Sequence, residues 1–140
     1  MTTIKHPGQR RRLGGSEGFT LIELLIVVAV IGILAAIGIA YYTSMQQSAR
    51  VAKAQADVRA IASAAGNYMA HTGTVPSAIT DMTVTVSNPM GMTGGPFLAG
   101  VPTQPSGGNP TWSAYSYTGN ATAGTFQVSA SGDGVTIIVP

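Results

Sequence analysis

The chain has 140 residues, of which 45% are apolar and only 9% charged, with 18 glycines and no cysteine. That length bounds the fold to one small domain, and the absence of cysteine excludes a disulfide framework and any thiolate-held metal. The formal net charge is +2, but four of the seven basic residues, Lys5, Arg10, Arg11 and Arg12, fall in the first twelve positions, so the basic balance belongs to a leader and indicates no nucleic-acid surface.

After the basic cluster, Leu24 to Ala49 carries no charged residue. At about 1.5 Å per helical residue, Leu24–Tyr42 extends roughly 28 Å, close to the ~30 Å hydrocarbon core of a bilayer. Basic residues before the span place that end in the cytoplasm and everything after Tyr42 outside. The rival is a secretory signal cut after the small-x-small triplet Gly38-Ile39-Ala40. Against it, the apolar run exceeds the usual ~7–15 residues and is entered through a carboxylate, Glu23. An acid at the edge of an apolar layer needs a partner or a task. Downstream offers no nearby Lys or Arg; the nearest cation is the α-amino group that cleavage between Gly18 and Phe19 creates. The plainer alternative is a first-turn acid solvated at headgroup level and favoured by the helix dipole.

The run Gly18-Phe19-Thr20-Leu21-Ile22-Glu23-Leu24-Leu25-Ile26-Val27, behind a basic leader, resembles the class III leader and N-terminal segment of type IV pilins and type II secretion pseudopilins. The resemblance implies that residues 1–18 are a leader removed by a prepilin peptidase, and that the new N-terminal Phe19 is methylated. Glu23 then neutralises the N-terminal amine of a neighbouring copy during filament assembly. It further implies a single-pass protein of the bacterial inner membrane, surrounded by lipid before assembly, with its C-terminal domain on the periplasmic side. Its partners are an inner-membrane assembly platform and other copies or related pilins in a helical filament, either a periplasmic pseudopilus or an extracellular pilus. One departure is visible: many members carry Pro where this chain has Ala40, which puts the family's usual helix kink in doubt.

No proline lies between Pro7 and Pro76, so one helix is predicted from Phe19 to Ala70, ending at His71-Thr72-Gly73. Its 19–42 part is the span and polymerisation segment. In its second half Val51, Ala54, Val58, Ile61, Ala65 and Tyr68 recur every three or four positions, while Arg50, Lys53, Asp57 and Arg59 fall off that stripe. Such a helix is longer than the domain it covers. Its apolar half must meet lipid or the same helix of other copies, with Gly32, Ala35, Ala36 and Gly38 giving small surfaces for close approach.

Residues 73–140 are predicted as a small β domain. Met82–Val86 and Trp112–Tyr117 alternate as strands, and Thr125–Val128 and Val135–Val139 flank Ser131-Gly132-Asp133-Gly134, a hairpin signal. The fold class is α+β: a long N-terminal helix packed through its 51–68 stripe on an antiparallel sheet of three to four strands. Trp112, Tyr115, Phe126, Val128 and Ile137 are the predicted core. Residues 87–110 hold five Pro and six Gly and read as a surface loop.

No enzyme is predicted. The histidines are His6, in the leader, and His71, so no Ser-His-acid or H-E-x-x-H set can be built. Asp57, Asp81 and Asp133 stand apart in sequence, and no glycine run has the Lys of a P-loop. Gly132-Asp133-Gly134 resembles the end of major pseudopilins, some of which bind calcium there. That makes Asp133 a calcium candidate, although one carboxylate is far from the six to eight oxygens calcium takes and turn chemistry alone accounts for Asp-Gly. No other cofactor is expected. Asn120-Ala121-Thr122 matches a glycosylation sequon, a pattern common by chance. Three functions remain open: a filament subunit, a membrane-anchored monomeric binding module using the 87–110 loop, and an ordinary secreted protein cleaved after Ala40.

Overall fold

The computed structural model describes residues 18–140. Lys5, Arg10, Arg11 and Arg12, expected to form a leader, lie outside the described residues. Helix α1 (Leu21–Thr72) is a single 52-residue helix, uninterrupted at Gly32, Gly38 and Ala40. It stops where Gly73, at φ +75°, donates its N–H to the Met69 carbonyl at 2.8 Å, the left-handed cap that glycine adopts without a Cβ clash.

The chain divides into two compact units, one ending at Ile39 and one of Ala40–Pro140. In the first, α1 exposes every large apolar side chain it carries. In the second, α1 supplies Ala54, Val58, Ile61, Ala64 and Ala65 to a core completed by Met82, Trp112, Tyr115, Val128 and Ala130. The 51–68 stripe is therefore the buried face, with Val51 and Tyr68 half-buried at its ends.

The strands are β1 (Val86–Ser87), β2 (Thr93–Gly94), β3 (Ser116–Asn120), β4 (Thr125–Gly132) and β5 (Val135–Val139). β1 and β2 form a small antiparallel pair, and β3-β4-β5 form a three-stranded antiparallel sheet. Gly132 pairs with Val135, leaving a two-residue turn in which Asp133 (φ +50°) and Gly134 (φ +74°) are both left-handed. That is the type I′ geometry the Asp-Gly pair favours. Along β4 the inward positions are Val128, Ala130 and Gly132, all buried. Their shrinking size makes room for Trp112 near the tip.

Several expectations need correction. Met82–Val86 is not a strand: Ile79–Thr83 is a short 3-10 helix, because the Asp81 carboxylate takes the N–H groups of Ser77 (2.8 Å) and Ala78 (3.0 Å) and curls the chain. Met82 points into the core, and strand pairing is left to Val86 and Ser87. Trp112–Tyr117 is not one strand either, since β3 begins at Ser116. Trp112 and Tyr115 are both buried at a spacing of three, which a period-two strand cannot provide. Phe126 and Ile137 are half-buried at the margin of the core. The 87–110 segment contains β2 and is tied down: Phe97 and Leu98 both donate N–H to the Met82 carbonyl at 2.9 Å, and Pro105 is buried.

Candidate functional site

Gly18, Phe19 and Thr20 precede α1 without regular structure and are exposed, Phe19 by 81%. The Gly18–Phe19 peptide bond thus sits in accessible backbone before the helix begins, the form in which chains are cut. Thr20 is the N-cap. Its carbonyl accepts the first helical bond from Leu24, its Oγ1 accepts the Glu23 N–H at 3.3 Å, and Glu23 Oε2 accepts the Thr20 N–H at 3.1 Å and hydroxyl at 2.9 Å. This is a reciprocal capping box. The Thr20-x-x-Glu23 spacing is the sequence signal for it. Among the described residues no cation pairs with Glu23, and its Oε1 accepts no hydrogen bond.

Seventeen large apolar side chains between Phe19 and Met45 are each at least 47% exposed. α1 is also the one helix among the described residues long and apolar enough to cross a membrane. A continuous apolar surface of this extent is left for lipid or for another protein.

A second cluster lies at the β4–β5 tip. Asp133 is an isolated acid in sequence but not in space. Arg50 Nε stands 2.6 Å from Oδ2 and Nη2 3.1 Å from Oδ1. Trp112 Nε1–H donates to Oδ2 at 2.9 Å and the Asn109 N–H to Oδ1 at 3.0 Å. The guanidinium, with help from Trp112 and Asn109 and against the effect of burial, holds the Asp133 carboxyl well below the usual carboxylate range; the same bond raises Arg50. The turn's main chain is engaged too, its N–H given to the Pro110 carbonyl at 2.8 Å and its carbonyl accepting Gln47 Nε2 at 3.2 Å.

Farther along α1, Lys53 Nζ donates to the Asp57 carboxylate and to the Thr103 carbonyl, both at 2.6 Å, and the Tyr115 hydroxyl donates to Asp57 at 2.5 Å. Burial first, then Asp57, pushes the Tyr115 phenol up from its ordinary value. The off-stripe residues Arg50, Lys53 and Asp57 therefore anchor the loops, although Lys53, like Arg59, is exposed. His71 packs against Gly94 and Phe97, and its Nε2 is buried with no hydrogen-bond partner among the described residues.

Residues 15–39 match the family model described as the prokaryotic N-terminal methylation motif. The type II secretion system core protein G of Pseudomonas aeruginosa is 34% identical over 129 residues, covering 86% of this chain and 83% of that protein. A fimbrial protein of Pseudomonas aeruginosa is 53% identical over 49 residues, covering 35% of this chain and 32% of its own. The type IV major pilin protein PilA of Myxococcus xanthus is 43% identical over 53 residues, covering 38% and 24%. No solved structure matches the chain.

Proposed function

The chain belongs to the type IV pilin and pseudopilin family, and from that footing we propose that it is a structural, non-enzymatic filament subunit of the type II secretion pseudopilus. A prepilin peptidase cuts after Gly18, Phe19 is N-methylated, and the span from Phe19 to Tyr42 holds the protein in the inner membrane with its C-terminal domain in the periplasm. An assembly platform then draws it from the lipid into a polymer of like copies. The exposed apolar half of α1 holds the polymer together: once drawn out of the lipid, each helix packed on its neighbours keeps apolar surface from water at about 25 cal/mol per Å², and contacts that do not close repeat along a filament. Glu23 keeps one carboxylate oxygen on its own helix cap and offers the other to the amine of a neighbour.

One observation carries the choice of branch: the likeness to the secretion protein runs through both α1 and the β domain, whereas that to the fimbrial protein covers 35% of the chain. An extracellular pilus is the second reading, supported by the higher identity over those 49 residues. The test is the N-terminal mass of the protein recovered from cells with and without a prepilin peptidase. A methylated Phe19 that appears only with the peptidase is expected. A mature chain starting at Tyr41 would identify an ordinary secreted protein instead.

A further inference from the structure

We infer that Arg50 is the resident cation of the β4–β5 tip, so that this domain closes its last hairpin onto α1 without calcium. An ionised carboxylate offers about four lone-pair sites, and Asp133 has all four taken: two by the Arg50 fork, one by the Trp112 indole, one by the Asn109 amide. The groups that face the carboxylate are all donors. A calcium ion needs six to eight oxygens at about 2.3–2.6 Å, and this surrounding has the opposite polarity; it is built to receive an anion. No group of three His, Cys, Asp or Glu side chains converges among the described residues.

A Cβ built on Gly108 would lie 2.9 Å from Asp133 Oδ1, so only glycine lets the 107–109 backbone come this close to the carboxylate. The open pocket beside it is lined by Thr43, Ser44, Gln47, Arg50, Gly108 and Asn109, which bring a guanidinium, hydroxyls and amides but no second carboxylate. With side chains 4% and 20% exposed, Asp133 and Arg50 are more shielded than a pair on the open surface, and a charge-assisted fork is stronger than a rim contact. The pair links residues 83 positions apart and fastens hairpin, 107–112 loop and helix at one point. The inference stands on the geometry of the domain and does not depend on how the chain is cleaved or polymerised.

The chain's single tryptophan is a member of the cluster, so its emission reports on it. Full-length protein in detergent is melted in EDTA and in millimolar calcium chloride, alongside Asp133→Asn and Arg50→Met. Asparagine keeps the left-handed turn but not the charge. Wild-type midpoint and Trp112 emission are expected to be the same in both media. Both variants are expected to melt more than about 5 °C lower and to gain nothing from calcium. A wild-type midpoint that rises with calcium would overturn the inference whatever the variants do. So would Asp133→Asn melting with the wild type, since the aspartate would then be serving the turn alone.

Discussion

The indole of Trp112 lies against Gly132 so closely that a Cβ on that glycine would stand 2.4 Å from Trp112 Cγ and Cδ2. Neither partner has freedom to move: Gly132 is in the β4–β5 ladder, and Trp112 is held by its bond to Asp133. Gly132→Ala is therefore expected to cost about 1–3 kcal/mol, the usual penalty of overpacking, and to shift Trp112 emission. Urea unfolding followed by that emission measures both. An alanine variant as stable as the parent would mean the indole has slack that the packing denies.

Ile61 is the largest fully buried side chain on α1. Truncation to alanine should lower domain stability by about 2–5 kcal/mol while leaving membrane insertion and removal of the leader intact. Denaturant titration and a processing assay on the same variant separate the two effects. Loss of processing without loss of stability would show that the β-domain core is not what Ile61 serves.

At the N-terminus, capping and charge can be pulled apart. Glutamine still completes a capping box, so Glu23→Gln keeps the first turn of α1 but removes the negative charge. Thr20→Ala does the reverse, at about 0.5–2 kcal/mol of helix stability. Filament yield should collapse in Glu23→Gln and survive, reduced, in Thr20→Ala, with both proteins inserted and cleaved. If Thr20→Ala were the variant that fails, the carboxylate's task would lie within its own helix.

Acid should weaken the domain through Asp133. Its folded pKa is depressed, so its contribution is whole above the ordinary carboxylate value of about 4 and is lost as pH falls through the folded value. The melting midpoints of wild type and Asp133→Asn should run apart at neutral pH and converge below about pH 4. Tyr115 gives the opposite arm: its folded pKa is raised, so its contribution is complete below about pH 10 and declines above. Tyr115→Phe should flatten that alkaline decline. Parallel pH curves for wild type and variant would contradict the assignment in either arm.

What could be read from the residues alone follows from how local each cause is. The 51–68 stripe of α1 and the Asp133-Gly134 turn depend on neighbours within a few positions, and both stand as expected. Trp112 and Met82 read as strand residues because their near neighbours alternate. Their positions are decided instead by Asp133, 21 residues from Trp112, and by the cap that Asp81 places on the 77–83 curl. Arg50, Lys53 and Asp57 fall off the apolar stripe, and nothing local shows what they bind, because their partners Asp133, Thr103 and Tyr115 lie 50 or more residues away. Periodicity carries no information about such pairs.

The proposed polymerisation of copies through the apolar half of α1 is tested most directly by cross-linking. The native sequence has no cysteine, so cysteine pairs introduced between Leu24 and Tyr42 give a clean cross-linking background in cells carrying the assembly machinery. A ladder of dimers, trimers and higher multiples, abolished by Glu23→Gln, is the predicted result. Monomer at every pair tested, in protein already cleaved to Phe19, would contradict the account.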